Sequence, residues 1–175
     1  MSAPIIARVE GGAFDAMADD LGELLADVVN AGASVGFLRP LSAAAASAWW
    51  RSIDDGVRAG HIIVLVARVD GRLAGTAQLR LAAMPNQAHR ADVAKVLVRP
   101  SMRRRELGGT LMSAIESEAR QRARTLLVLD TESGSDAEKF YVALGWTRSG
   151  VIPRYAQDTD GTMRATTIFY KELTR

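Results

Sequence analysis

The sequence predicts a mixed α/β domain built on a mostly antiparallel sheet. Three observations carry that prediction. Segments of β-branched and apolar residues at 62–69, 73–81 and 91–98 follow one another, the first two joined through Asp70-Gly71, as in an antiparallel meander. Helical periodicity of apolar residues occurs before them, in Phe14–Asn30, and after them, at 107–122. A short apolar run at 125–129 then lies between two helical segments, the pattern of a strand at the centre of a sheet. With 175 residues the chain fits one domain, 1–175, that buries roughly 70% of its unfolded surface.

Taken in order, Ile5–Val9 is a short first strand ended by Gly11-Gly12. Phe14–Asn30 carries Met17, Leu21, Leu24, Leu25 and Val28 at helical spacing and stops at Ala31-Gly32. Residues 41–58 form a second, alanine-rich helix with Trp49, Trp50, Ile53 and Val57, closed by Gly60. The hairpin strands 62–69 and 73–81 follow, then a loop at 84–87 and a strand at 91–98. In the helix at 107–122, Leu107, Leu111, Ile115 and Ala119 share one face, and Glu116–Arg120 and Glu118–Arg122 form favourable i,i+4 pairs. The strand at 125–129 precedes a short helix at 137–144 ended by Gly145, and strands at 146–151 and 166–173 complete the chain. About four helices therefore flank the sheet, and the sequence contains no repeat, low-complexity tract or linker.

Composition narrows the chemistry. There is no cysteine, which fits a reducing cytoplasm and excludes both a cysteine nucleophile and a thiolate metal site. The two histidines, His61 and His89, are isolated and lack metal-ligand spacing, so no metal is expected. Ser133, Ser135 and these histidines form no recognisable hydrolase arrangement. The N-terminus lacks a signal-peptide layout, and the longest apolar runs are far short of the ~20 residues that span a bilayer. A net charge of +2 is no argument for nucleic acid as a partner.

The most informative stretch runs from Lys95 to Met112: a strand, a proline stop, the triplet Arg103-Arg104-Arg105, then Gly108-Gly109 at the start of an amphipathic helix. The first N–H groups of a helix have no internal partner, and the helix dipole adds partial positive charge there. Arginine contributes planar forks that match phosphate oxygens. Such a turn is suited to a phosphorylated cofactor.

Order and motif together resemble the GNAT superfamily of acyl-CoA-dependent acetyltransferases. In that family the fourth strand enters a turn of pattern Gln/Arg-x-x-Gly-x-Gly/Ala, and Arg103, Glu106 and Gly108 occupy its signature positions. A second motif reads Val128-Leu129-Asp130-Thr131 and then Phe140-Tyr141-Val142-Ala143-Leu144-Gly145-Trp146. The likeness covers nearly the whole chain. It is closer to the small acetyltransferases similar to tabtoxin resistance protein, through Gly32-Ala33-Ser34-Val35-Gly36-Phe37, Leu129-Asp130-Thr131-Glu132 and Gly134-Ser135. The resemblance implies a mixed sheet with a splayed central parallel pair, acetyl-CoA as co-substrate, a small-molecule amine acceptor and, through the last strands, a homodimer.

It also implies site residues. Tyr141 would be the acid that protonates the leaving thiolate, with Asp130 and Asp92 as bases acting directly or through water. Their structural alternatives are a half-buried aromatic, a turn cap and a solvated edge carboxylate. Arg103, Arg104, Arg105, Glu106, Leu107, Gly108, Gly109 and Thr110 would form the pyrophosphate loop. The backbone of Leu97 and Val98 would pair with the pantetheine arm, with Ser135 and Phe140 as further cofactor contacts. Phe37, Trp49, Asn86, His89 and Tyr155 are weaker candidates for the acceptor, the alternative for the aromatics being core packing.

Two departures from the family pattern stand out. Glu106 replaces the first motif glycine, and Arg104 stands where many relatives have another. The carboxylate of Glu106 at ~6 Å from a pyrophosphate would cost roughly 1–3 kcal/mol, which the neighbouring arginines can offset. Gly134 replaces a cofactor-contacting asparagine, so no role carries over there. Three functions remain open at this stage: transfer to a small molecule, transfer to a protein amino group, and acyl-CoA sensing without catalysis.

Overall fold

Cross-strand pairing sets the frame of the molecule. The computed structural model describes residues 3–174. Its strands are β1 (Ile5–Val9), β2 (Ile62–Val69), β3 (Arg72–Leu81), β4 (Arg90–Val98), β5 (Leu126–Glu132), β6 (Thr147–Gln157) and β7 (Met163–Glu172). They form one seven-stranded sheet in the order β1-β2-β3-β4-β5-β7-β6. Every neighbouring pair is antiparallel except β4 and β5. The helices are α1 (Phe14–Asn30), α2 (Ala43–Ser52), α3 (Asp54–Arg58), α4 (Leu107–Gln121) and α5 (Asp136–Ala143).

The β2–β3 turn bears out the sequence reading. Asp70 and Gly71 both have positive φ, +48° and +78°, the backbone that a two-residue hairpin with native twist requires.

Strand alternation sends two sets of side chains to opposite faces. On one face, Ile63, Leu65, Ala77, Leu79, Leu127, Leu129 and Phe169 pack with Leu107, Leu111, Met112 and Ile115 of α4 and Tyr141 of α5. On the other, Val64, Val66 and Leu97 pack with Leu21, Leu24, Leu25 and Val28 of α1 and Trp50 of α2. The apolar helix spacing read from sequence is therefore the spacing that buries these faces. The α1 layer lies over β3 and β4.

The parallel pair is short. It consists of Arg90↔Leu126, Ala91↔Leu127 and Asp92↔Val128, after which the strands part. A bulge in β4 accompanies the parting. Thr76 and Gln78 of β3 face Leu97 and Ala94, so three steps on β4 match two on β3. Lys95 occupies the bulge in left-handed backbone, φ +49°. Such bulges bend a strand, and this one bends the half of β4 that leads into the arginine loop.

Several element bounds differ from the sequence reading. The single helix expected at 41–58 is divided into α2 and α3, giving five helices among the described residues. At the break, Ser52 Oγ donates to the Trp49 carbonyl at 2.6 Å, while the Asp54 carboxylate accepts from Gly12 N at 2.7 Å and from Arg58 Nε at 2.7 Å. These bonds anchor the chain to the β1–α1 turn. Strand β6 reaches Gln157 rather than Val151, because bulges near Gly150 and between Ile152 and Ala156 absorb Gly150 and Pro153 on an exposed edge.

Candidate active site

The arginine loop joins β4 to α4 through a single turn at Pro100–Met102. Arg104 and Glu106 both adopt left-handed backbone, φ +59° and +58°, at the two positions where the family pattern has glycine. Glu106 is the N-cap of α4 and makes no side-chain cap, so the first turn of the helix keeps its N–H groups available. The Thr110 hydroxyl instead donates back to the Glu106 carbonyl at 3.2 Å. Arg103, Arg104, Arg105 and Glu106 are all exposed. No acidic side chain lies within 4 Å of Arg103 or Arg104 among the described residues.

The loop fits a pyrophosphate. A β-carbon on Gly109 would meet nothing within 4 Å, which leaves open space beside the helix start. Gly108 plays a different part. A β-carbon there would come within 3.1 Å of Phe140 Cζ, so glycine lets α5 buttress the loop through Phe140.

The acid–base candidates come from β4, β5 and α5, on the two faces of the sheet. Asp130 is exposed near the end of β5, on the face that carries Asp92 and Val128. The Thr166 hydroxyl lies 3.1 Å from Asp130 Oδ2 and 2.9 Å from the Thr131 carbonyl, which fixes the carboxylate against β7. Tyr141 comes from α5 on the opposite face, 7% exposed among Phe140, Trp146 and Phe169. Burial, with the charge of Asp130 added to it, pushes the phenol well above its ordinary value. Asp92 begins the splay and pairs with Arg90 at 3.4 Å.

A third group, which sequence reasoning missed, completes this side of the gap. From the β4 bulge, Lys95 Nζ donates to the Val35 carbonyl at 2.7 Å and lies 5.4 Å from the Phe37 ring centroid and 5.1 Å from that of Trp49. The two rings meet edge to face at 5.4 Å, so Phe37 and Trp49 form the walls of a box around the ammonium. At Gly36, φ +91°, a β-carbon would come within 3.3 Å of Lys95 Nζ, so the loop backbone passes close to the ammonium. Burial first, then the charge of Arg80, lowers Lys95 to about 8, and Asp130 opposes the shift. Arg80 lies across from Asp92 on β3 and donates to Gln78 Oε1 at 3.1 Å.

The loop carrying Phe37 continues to the β6–β7 turn. Arg39 N donates to the Thr159 carbonyl at 3.0 Å, and Arg39 Nη2 to Asp160 Oδ2 at 2.6 Å. Asp158 stiffens the β6–β7 turn that receives it, accepting from Asp160 N, Thr162 N and Arg164 Nε. A strap thus runs from the α1–α2 loop to the far hairpin.

The remaining predicted residues are spread more widely. Leu97 is buried against α1 and Val98 is half-buried on the α4 side, while β5 pairs only with 90–92 of β4. Ser135 is the N-cap of α5, accepting from Glu138 N at 3.2 Å, and the Glu138 carboxylate accepts from Gly134 N at 2.5 Å. The N-cap bond occupies the Ser135 oxygen. Asn86 and His89 are exposed on the connection before β4, at the paired end of the gap. Tyr155, 52% exposed, stands in the bulged part of edge strand β6. Among the described residues no side-chain hydrogen bond or ion pair links these three to Asp130 or Lys95. Among the described residues no three carboxylates or histidines gather as a metal cluster, and no helix is long and apolar enough to cross a membrane.

A sheet split by a three-pair parallel seam, with a basic loop at the following helix start, is the architecture of an acyl-CoA-binding transferase. The acetyltransferase (GNAT) family model matches residues 31–146, and the chain belongs to that family. An uncharacterised N-acetyltransferase in the hisH–hisA intergenic region of Azospirillum brasilense is 34% identical over 113 residues, 63% of this chain and 66% of the relative. The chain thus matches just under two thirds of that curated relative's length. An N-acetyltransferase from Staphylococcus aureus Mu50 superposes with a TM-score of 0.79 at 15% identity, over 99% of this chain and 100% of the other. The structure of yncA from Salmonella typhimurium, solved with its cofactor acetyl-CoA, gives 0.77 at 20% identity over 99% and 96%. Both share the fold.

Proposed function

We propose that this protein is a single-domain, acetyl-CoA-dependent N-acetyltransferase that moves the acetyl group directly to the amine, or hydroxyl, of a small molecule. The observation that carries the proposal is the basic loop at the α4 start following a strand whose edge parts from β5, with Asp130 on one face of the sheet and Tyr141 packed on the other. In this reading the exposed N–H groups of the α4 start, with Arg103, Arg104 and Arg105, hold the pyrophosphate. The freed edge of β4 at Leu97 and Val98 takes the pantetheine amides. The acceptor nitrogen attacks the thioester carbonyl, the C–S bond breaks, and the nitrogen's proton passes to Asp130, or through water to Asp92. Tyr141, held protonated, donates a hydrogen bond and then its proton to the departing thiolate. It cannot serve as the base, because it has no ionised form near neutral pH.

The strap formed by Arg39, which ties the α1–α2 loop to the β6–β7 turn, supports a small acceptor over a folded protein's amino group. The phrases shared with proteins similar to tabtoxin resistance protein support a toxin or antibiotic as that acceptor, in the cytoplasm. Homodimerisation through the exposed edge β6 is part of the same reading. Glu106 favours one other reading, a binding domain without catalysis.

Thermal shift with acetyl-CoA, coenzyme A and ATP in parallel tests the cofactor. A ligand at ~100 times its dissociation constant adds about 2.7 kcal/mol, several degrees for a domain of this size. Stabilisation by the coenzymes but not by ATP is expected, followed by release of free coenzyme A thiol when amines are supplied. Stabilisation with no thiol release across amine classes would establish the binding-only reading. No stabilisation at millimolar acetyl-CoA would overturn both.

A further inference from the structure

Around the acceptor side of the gap the charges are separated rather than paired. Arg80 and Lys95 project from adjacent strands, close enough for the charge of one to act on the other, yet no carboxylate lies within 4 Å of either among the described residues. Among the described residues Asp130 on β5 likewise has no cation within 4 Å, and its side chain accepts from Thr166. Asp92, the other carboxylate on this face, is engaged by Arg90. Two half-buried cations therefore lie on the face of the sheet that carries Asp130, near enough for its charge to act on Lys95, with Asp92 as the cross-strand neighbour of Arg80. Half-burying charge without a partner is costly, and a paired surface would have been the cheaper arrangement.

The arrangement is organised. Lys95 leaves a bulge in left-handed backbone, passes a glycine and spends one donor on the Val35 carbonyl. Two of its three donors remain. Arg80 is held by Gln78. Phe37 and Trp49 exclude water from one side of the ammonium, which strengthens its attraction for an anion.

We infer that Lys95 and Arg80 bind an oxyanion on the acceptor, so that the substrate is a small zwitterion whose amine addresses Asp130 while its carboxylate or phosphonate addresses the two cations. This rests on the acetyltransferase reading above and narrows its substrate class. It also makes Lys95 and Arg80 specificity-determining rather than catalytic, since neither is asked to move a proton.

The test has two arms, one independent of catalysis. Trp50 and Trp146 are 0% and 4% exposed, so Trp49 is the tryptophan that a solute can reach. Iodide quenching of its fluorescence therefore reports anion concentration beside Lys95, with neutral acrylamide as the control. The quenching slope for iodide should fall about twofold or more in Lys95→Met and in Arg80→Gln, with the acrylamide slope unchanged and Lys95→Arg close to wild type. Sodium acetate and sodium phosphate should compete with iodide in the wild type. Equal iodide slopes in wild type and both variants would overturn the inference, whatever the outcome with acetyl-CoA.

In the second arm, coenzyme A release is measured with matched acceptors: α-amino acids against their decarboxylated amines, and 2-aminoethylphosphonate against ethylamine. The anionic member of the preferred pair should be used with kcat/KM roughly tenfold higher or more, and Lys95→Met should remove that preference. Which pair shows it distinguishes carboxylate from phosphonate. Equal or better use of the uncharged-tail amines would overturn the inference. If no acceptor of either kind turns over, the acetyltransferase reading fails while the quenching arm still decides the anion site.

Discussion

Asp130 and Tyr141 stand on opposite flanks of the β4–β5 gap, and the carboxylate's charge adds to burial in keeping the phenol protonated. An ordinary tyrosine titrates near 10.0, and this one lies above it. Tyr141→Phe should lower kcat by roughly 10²-fold while leaving acetyl-CoA binding nearly unchanged, because only the proton donor is removed. The wild-type pH–rate profile should show no alkaline loss assignable to Tyr141 up to pH 10. A descending limb near pH 9 that vanishes in Tyr141→Phe would contradict the assignment.

Arg104 and Glu106 each hold a left-handed backbone that costs a residue with a β-carbon roughly 1 kcal/mol or more. Glu106→Gly should therefore raise urea stability by up to about 1 kcal/mol, part of the gain being offset by the freer unfolded chain. Calorimetry at low salt should also show acetyl-CoA binding about tenfold tighter, since a like charge leaves the phosphate site. Unchanged affinity would mean that the Glu106 carboxylate already points away from bound phosphate.

Arg39 ties the α1–α2 loop to the β6–β7 turn through Thr159 and Asp160. Arg39 and Asp160 are both exposed, so their ion pair adds little to global stability. Its removal in Arg39→Ala should instead raise the acceptor KM several-fold and leave the KM for acetyl-CoA alone. A change confined to acetyl-CoA would place the strap on the wrong ligand.

Lys95 gives the protein a pH signature. Its folded value, about 8, lies below its ordinary 10.5, so the native state releases this proton before the unfolded chain does. Between those two values the unfolded chain binds more protons, and stability rises with pH. Below about 8 both states hold the proton and the full cost of burying the charge is present. The stability difference between wild type and Lys95→Met, measured by urea titration, should climb across that window with a slope of up to about 1.4 kcal/mol per pH unit. A flat difference would mean that Lys95 is solvated in the folded state.

Much of this was legible in the sequence. The Asp70-Gly71 turn, the apolar stripe of α4 and the central strand β5 follow from local chemistry, and the structure has each of them. The basic loop was visible because Arg103-Arg104-Arg105 stand between a strand and Gly108-Gly109 at a helix start. Lys95 was not visible. A lysine in a strand ordinarily points to solvent, and only the bulge, an outcome of pairing three steps of β4 with two of β3, turns it toward Phe37 and Trp49. The break at Ile53 was equally hidden, since it depends on Asp54 finding Gly12, 42 residues earlier. Arg39 read as a surface charge because its partner, Asp160, is 121 residues away. Contacts at that separation leave no local pattern.

The three-rung seam between β4 and β5 has a mechanical meaning. A sheet joined at its middle by so few bonds is two panels sharing a short hinge, with β1 to β4 on one side and β5, β7 and β6 on the other. If the pantetheine arm lies along the vacant edge, its amides take the place of a missing strand, and the co-substrate becomes a removable rung of the protein's own ladder. The loaded molecule would then be stiffer than the empty one. Each cycle of catalysis would end by taking out a piece of the architecture on which it depended.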